Sequence, residues 1–574
     1  MTRLYLISLF VFCAMTDHGA AAEVPIVTDG RSDYVICVPA DATPAQRHGA
    51  EEIQSHIQKM SGAQLPIAEI GATVPAKAIV VAAPRADGDA DLGDEGFILR
   101  TEDQKVLIIG PGRRGAMYAC YALLEAMGVR WYTPEVTRLP NTHDIVLPDL
   151  NQTSMPSFEY REPFMTEAFD RDWSARNRCN GSHAKLDDST GGKLLYHPFV
   201  HSFDELIPPA LFAAHPEYFP LINGQRTDGY VQRCLSNPEV LKLAIEGVRR
   251  WMKDVPNAQI YSVSQNDNEK LCQCDACTAV AQKYGGQQSG LYLWFVNQVA
   301  DAVATDHPDK LIDTLAYQFT EAPPTGITPA KNVRIRLCPI ACCVSHPFEE
   351  CNAPPNVAFM GRLKAWSKLT DSLYIWHYNA NFAHYLMPFP DFREFPAEIR
   401  LYKQNGVKGV FFEGAYAPGG GGAESELRAW VMAKLLWDSQ LDADKLVTEW
   451  MRGVYGPAEK PMRQWFDLIH QAVSKPTAHL FIFHGADAPQ LTAEVMNNGE
   501  KLFADAELAA KADPVAMKYV AKEKLCFRYA KLLLKHTTGA ELDDFVKDVR
   551  AAGITEMREG MPVDQWLANY RAAQ

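Results

Sequence analysis

Two carboxylates stand just past short hydrophobic runs: Asp267 after Gln259 to Val263, and Glu413 after Val407 to Phe412. A carboxylic acid so placed can protonate a departing glycosidic oxygen, while a second group stabilises the positive anomeric centre. Trp376, Tyr378, Tyr317, Trp173 and Phe382 are aromatics able to stack on sugar faces. His377, His201, Asn266, Asn379 and Gln318 can bond hydroxyl or acetamido groups, and Arg161 ends the first candidate strand of the same region. Where a sugar carries an N-acetyl group, its own carbonyl can be the nucleophile, and the protein then needs a side chain to orient that amide. Asn266, beside Asp267, suits the task. Each residue also has a structural use: Asp267-Asn268 as a cap or turn, the histidines in a core, Glu413 paired with an Arg. Their common position after successive strands is what joins them into one candidate site for glycan hydrolysis.

Other chemistries have less support. Cys272, Cys274 and Cys277 form C-x-C-x-x-C, and Cys338, Cys342, Cys343 and Cys351 lie close together. Thiolates at such spacing can ligate zinc, but no matching His pair or second C-x-x-C accompanies them. Loop-stapling disulfides or buried thiols are therefore expected, with no metal and no cofactor. Gly110-Pro-Gly112-Arg-Arg-Gly115 has the form of a dinucleotide fingerprint. The strand before it reads as the second arm of a hairpin, so the glycines are expected only to make a tight strand-to-helix turn. Gly419 to Gly422 lacks the Lys-Ser/Thr of a phosphate loop and reads either as a mobile loop beside the cleft or as a linker. Glu424 follows it, placed for the helix dipole. No G-x-S-x-G supports a serine esterase.

The elements that must position these groups fall into three regions. Residues 23–150 read as a small α/β domain: strand Tyr34 to Val38, helix Pro44 to Met60 stopped by Ser61-Gly62, strand Ala78 to Ala82, a hairpin of Gly96 to Arg100 and Lys105 to Ile109, helix Arg113 to Met127, and strand Val129 to Tyr132. Residues 155–437 alternate short strands with helices. Phe158 to Arg161, Gln259 to Val263, Leu311 to Ala316, Val333 to Leu337, Leu373 to Ile375 and Val407 to Phe412 are the strands, with helices such as Pro238 to Lys253 and Gly290 to Thr305 between. This alternation predicts a (β/α)8 TIM-like barrel, whose chemistry sits at the carboxyl ends of its strands. Beyond Asp438 the spacing of apolar residues predicts a helical bundle: Asp442 to Val454, Pro457 to Val473, Leu491 to Ala510 and Pro514 to His536.

Composition bounds the partners. The 574 residues are 47% hydrophobic and 22% charged, an ordinary globular balance that excludes disorder and coiled coil. A net charge of −14, without a basic run, repels phosphate backbones, so nucleic acid is not an expected partner. Residues 1–22 have a signal-peptide pattern: Arg3, an apolar run from Leu4 to Met15, and Ala20-Ala21-Ala22 before Glu23. Phe12 is too bulky for a lipidated Cys13, and no later run reaches about 20 apolar residues. An exported, periplasmic or extracellular protein without a membrane span is expected.

The segments Ala50 to Ile53 with Leu65-Pro66-Ile67, and Arg114-Gly115 through Gly128 to Tyr132, resemble the N-terminal accessory domain of α-glucuronidases and β-hexosaminidases. The remainder resembles the bacterial domain of unknown function 4838, from which glycoside hydrolase family 163 was drawn. His215 to Phe219, Cys234 to Pro238, Ser264 to Asn268 with the C-x-C-x-x-C, Trp376 to Pro390 and Leu435 to Asp438 carry that likeness. The resemblance implies an endo-β-N-acetylglucosaminidase acting on N-glycans or glycoproteins, with assistance from the substrate. It makes Asp267 the acid, Asn266 the acetamido-orienting residue and Glu413 the rival acid. The accessory domain makes an α-glucuronidase-like exo-hydrolase the enzymatic alternative. A non-catalytic glycan-binding protein is the alternative outside enzymes.

Overall fold

The computed structural model describes residues 23–71, 73–535 and 539–573, so the expected leader and the expected end of a helix at His536 lie outside the described residues. The chain divides into two compact units, one running to Val129 with Leu139–Ser154, the other containing Arg130–Arg138 and everything from Met155 onward.

The first unit is a six-stranded sheet in the order Asn151–Ser154, Phe97–Glu102, Lys105–Ile109, Ala78–Val81, Val35–Val38, Ile67–Glu69. The expected hairpin is present; the strands on its Lys105–Ile109 side pair in parallel, and Asn151–Ser154 pairs antiparallel on the other side. Helix Pro44–Ser61 starts where Thr43 and Gln46 cap each other's backbone, with Pro44 in the first turn, and ends at Gly62 with φ +80. At the glycine-rich turn, a Cβ on Gly110 would lie 2.2 Å from the Ala116 nitrogen, and one on Gly112 2.3 Å from the Asp94 carbonyl oxygen. The chain's own backbone thus fills the space over these glycines, which serve a tight turn into helix Gly115–Ala126.

The second unit is mixed α/β around a parallel sheet. Its strands are β1 (Tyr160–Phe164), β2 (Ile260–Ser262), β3 (Leu311–Ala316), β4 (Val333–Leu337), β5 (Leu373–Tyr378) and β6 (Gly409–Glu413), in the spatial order β1-β6-β5-β4-β3-β2. Six regular strands are present among the described residues rather than the eight expected. Residues 178–197 run between the two edges without forming a strand: the Asn180 amide donates to the Arg161 carbonyl, Leu194 to Asn180, and His197 to Ile260. Gly191, Gly192 and the turn at Asp187–Thr190 interrupt any regular ladder here. Inside the sheet, Tyr160, Tyr196, Ile260, Tyr374 and Phe411 form one apolar cluster. The buried Arg336 guanidinium lies 4.4–5.7 Å from the rings of Tyr196, Phe199, Trp376 and Phe411, with Asp313 3.5 Å away.

Beyond Asp438 the helices are Ala443–Tyr455, Glu459–Ala472, Ala493–Ala510, Pro514–Lys535, Ala540–Ala551 and Val563–Ala572. They belong to the same compact unit as the parallel sheet, so Asp438 marks no unit boundary. The reason is a continuous core, running from Trp430 on helix Ser425–Trp437 to Trp450, Trp465, Phe503 and Phe527. A hairpin of Glu556–Arg558 and Met561–Pro562 interrupts the helical pattern.

Gly419, Gly420 and Gly421 have φ of +84, +64 and +104, and a Cβ on Gly419 would lie 1.8 Å from the Gly553 carbonyl oxygen. The segment is packed against residues 553–554 and is not a loose linker. Gly419→Ala is expected to cost about 1–3 kcal/mol of stability, through both the left-handed backbone and the overlap. Urea unfolding checks this, with Gly361→Ala as the contrasting control: it lies inside helix Pro354–Leu369, its added carbon meets open space, and it should gain about 0.5–1 kcal/mol.

Candidate functional site

A cavity of about 310 Å³ opens where the parallel strands end, lined by His201, Asp267, Tyr317, Trp376, Tyr378 and Glu413 together with Leu315, Cys338, Ile340, Phe382, Ile482, Phe483 and Glu559. Its volume is at the lower end of the range for small-ligand pockets, about 300–1,000 Å³. Glu413 is the last residue of β6, paired in register with Tyr378, the last of β5. Its side chain is only 8% exposed and accepts a 2.8 Å hydrogen bond from the Trp376 indole N–H. Trp376 is itself held by Phe411 at 4.7 Å and Phe199 at 5.6 Å, so the donor is fixed by packing. Burial pushes the Glu413 carboxyl up to about 8, and the negative charges of Glu559 and Asp267 add to the rise against the indole bond. A carboxyl raised in this way can give up a proton near neutral pH.

Asp267 sits beyond β2, exposed, with its backbone N–H donating to the Tyr230 hydroxyl at 2.8 Å. Tyr317 is nearby, its phenol raised by burial and then by the Asp267 charge. His201 has φ +56 and bonds through Nδ1 to the Gln265 carbonyl at 2.7 Å. A carbonyl only accepts, so Nδ1 carries the hydrogen in this contact. Cys338 also lines the cavity, but burial raises its thiol far above the reactive range.

Several expected ligand-binding residues lie elsewhere. β5 extends through Tyr378 instead of stopping at Ile375, so side chains alternate across it. Trp376 and Tyr378 take the cavity face, and His377 faces away. Its Nδ1 meets the Tyr402 hydroxyl at 2.7 Å, and burial lowers it to about 3. Burial also raises Glu394, 3.1 Å from His377, well above the carboxylate range. Asn379 donates to Asp391 at 2.9 Å within the core. Asn266 is fully buried, its amide donating to Asp204 at 2.5 Å and to the Val231 carbonyl at 2.8 Å, away from the cavity. It cannot orient a substrate amide from there. Trp173 is buried with its indole N–H on the Tyr132 carbonyl, and Arg161 is buried, donating to Arg178 and Phe158 carbonyls and lying over Trp437. Both are scaffold.

Glu559 is the acidic residue that sequence reasoning missed. It lies in the hairpin turn 558–561, accepts from the Tyr416 hydroxyl at 3.1 Å, and is raised by burial and by Asp267. Glu559-Gly560 was its one local signal, a turn inside an otherwise helical pattern. The cysteines also differ from expectation. Cys234 joins Cys272, Cys274 and Cys277, and His346 and His479 join Cys343 and Cys351, in two groups of four potential ligand atoms. A larger groove of about 1240 Å³ contains Lys524 paired with Glu507 and Lys531 with Glu500, and none of the strand-end carboxylates. No helix among the described residues is long and apolar enough to cross a membrane.

A parallel sheet with acids and aromatics gathered at its carboxyl edge is a fold found among glycoside hydrolases. The structure is similar to a family GH115 4-O-methyl-α-glucuronidase with specificity for decorated arabinogalactans, at 12% identity and TM-score 0.54 over 91% of this chain and 76% of that one. It is also similar to a GH138 enzyme targeting pectin rhamnogalacturonan II (12% identity, TM-score 0.49, 94% and 78% covered) and to a chitobiase of Flavobacterium johnsoniae (12%, 0.47, 92% and 94%). No curated protein matches the sequence. Residues 131–467 match the domain of unknown function DUF4838, and the chain belongs to that family. Residues 33–123 match the glycosyl hydrolase family 67 N-terminus, in accord with the accessory-domain resemblance.

Proposed function

We propose that the protein is an exported glycoside hydrolase in which Glu413 is the general acid. The observation that carries this reading is the buried Glu413 at the end of β6, which shares a cavity of sugar size with two further carboxylates and whose carboxyl is raised by burial. In this mechanism Glu413 gives its proton to the departing glycosidic oxygen as the bond to the anomeric carbon breaks. Asp267, which is more exposed, is the partner carboxylate that stabilises the anomeric centre or activates water. The negative charge of Glu559 adds to the burial that raises Glu413. Tyr317, Tyr378 and Trp376 form the wall for the sugar face.

For the substrate we propose an N-acetylglucosamine-containing glycan, cut in the endo manner that the family 163 resemblance implies. Among the described residues, those lining the cavity include no Lys or Arg to receive a uronic acid carboxylate, which favours a sugar without that charge. With Asn266 turned into the core, an assisting acetamido group would rest on the cavity's tyrosine hydroxyls. The signal-peptide pattern of residues 1–22 supports export to the periplasm or beyond.

The test is product analysis by mass spectrometry after incubation with N-glycoproteins, chitooligosaccharides and glucuronoxylan oligomers. Wild type is expected to leave one N-acetylglucosamine on the peptide, with Asp267→Asn reduced about 10²-fold or more and Glu559→Gln reduced less. Release of glucuronic acid would overturn the substrate reading. Saturable binding without product, equal in all variants, would overturn the enzyme.

A further inference from the structure

We propose that the chain holds two structural tetrahedral transition-metal ions, most simply zinc. One is bound by Cys234, Cys272, Cys274 and Cys277, the other by Cys343, His346, Cys351 and His479. In each group the four ligand atoms lie within 4.8 Å of one another, and all but Cys274 and His479 are buried. Neither set is a local motif. Cys234 precedes helix Pro238–Asp254, and His479 comes from the loop after Glu459–Ala472.

The distances suit single ions. With metal–sulfur bonds of about 2.3 Å, a tetrahedral site has sulfur–sulfur edges of about 3.8 Å. Cys234 Sγ lies 3.7 Å from Cys274 Sγ and 3.9 Å from Cys277 Sγ. Both separations are far above the about 2.05 Å of a disulfide bond. For mixed thiolate and imidazole ligands the edge is about 3.6 Å. Here Cys343 Sγ to His346 Nδ1 is 3.6 Å, Cys351 Sγ to His479 Nδ1 is 3.7 Å, and Cys351 Sγ to His346 Nδ1 is 4.0 Å.

The surroundings match what ligands of these types require. The Leu221 and Cys277 backbone N–H groups point at the sulfurs of Cys272 and Cys274, and Arg226 lies 3.9 Å from Cys272 Sγ. Four thiolates around a dication leave a charge of −2, which these donors and the guanidinium offset. At the second site two thiolates and two neutral imidazoles leave no net charge, which permits burial. His346 Nε2 lies 3.0 Å from the Lys475 carbonyl, so it is protonated there and Nδ1 is free to ligate.

Both sites are closed by four protein ligands, so their role is to fasten chain segments and not to bind substrate. The first fastens the segment that follows Asp267 to the loop of Cys234. The second fastens the loop of Ile482 and Phe483 to the segment after β4 that carries Ile340. Each therefore supports one wall of the cavity, and the proposal does not depend on what the cavity hydrolyses.

The test measures metal in untagged full-length protein, purified without chelator and dialysed against zinc sulfate, by inductively coupled plasma mass spectrometry. Two zinc ions per chain are expected. Cys234→Ser/Cys277→Ser and Cys351→Ser/His479→Ala should each lower the count to one, the remaining site serving as internal control for folding. Cobalt-substituted wild type should show thiolate-to-metal charge transfer and tetrahedral d–d bands, which needs no variant. Less than about 0.2 metal ions per chain, or disulfides joining these cysteines in a non-reduced peptide map, would overturn both sites. A count that one pair of substitutions leaves at two would overturn that site alone.

Discussion

Glu413→Gln is expected to lose about 10²–10⁴-fold in kcat/KM on the cleaved glycan while becoming more stable than wild type above neutral pH. The two effects have one cause. Burial holds the Glu413 carboxyl at about 8, against 4.5 for the free group. The unfolded chain releases this proton as pH rises past 4.5, whereas the folded protein keeps it until about 8. Stability contributed by this group is thus fully present below pH 4.5 and is lost progressively up to about pH 8, on the order of 5 kcal/mol in all. Glutamine cannot ionise and escapes that loss, so the variant's advantage should be absent near pH 4.5 and greatest at pH 8 and above. Thermal melts across this range check it. The basic limb of the wild-type pH–rate profile should fall near pH 8 as the acid deprotonates. Unchanged turnover in Glu413→Gln, or a stability difference independent of pH, would sink the assignment.

Arg428→Met is expected to destabilise the protein by about 3–5 kcal/mol. Its buried guanidinium donates to both oxygens of Asp391 at 2.9–3.2 Å and to the Phe389 and Ala423 carbonyls. Glu424 lies 3.8 Å away, and the charge of Glu523 also acts on Arg428. One cation thus serves three buried acids. Burial raises all three, Glu523 to about 7, and Arg428 opposes that rise in each case. Glu424 caps helix Ser425–Trp437 at φ +54, so its place in this cluster, rather than the helix dipole alone, explains a left-handed non-glycine residue there. Without Arg428 the acids lose their counter-charge, and the deficit should widen as pH rises and the unfolded chain ionises. Urea unfolding at pH 5 and pH 8 measures this. Asp391→Asn added to Arg428→Met should recover part of the loss, because the neutral amide needs no cation. A single variant within about 0.5 kcal/mol of wild type at both pH values would refute the account.

The strands of the second unit were legible because each is a short apolar run with few competing signals. Leu311–Ala316 and Val333–Leu337 have the bounds their composition predicts. Asp267, Glu413, Tyr317, Trp376, Tyr378 and His201 were legible as a group because residues that follow parallel strands must emerge on one edge. What failed was the face. Three more residues on β5 turned His377 and Asn379 into the core, since a strand sends neighbouring side chains to opposite sides. Asn266 is one residue from Asp267, and that single step separates a buried amide from an exposed carboxylate.

Local composition by itself therefore determined the α/β character of the first unit, the strand segments of the second, the carboxylates that follow them and the helices beyond. Those depend on propensity and periodicity over ten or so neighbouring residues. Only the tertiary structure decided that Glu559 meets Glu413, that Cys234 meets Cys272 and Cys274, and that His479 meets Cys351. Such encounters depend on which distant loops the continuous core of Trp430, Trp465 and Phe527 brings to the sheet's carboxyl edge. No short-range pattern encodes them, because burial of apolar surface has no direction and the polar groups it carries along are placed by the packing.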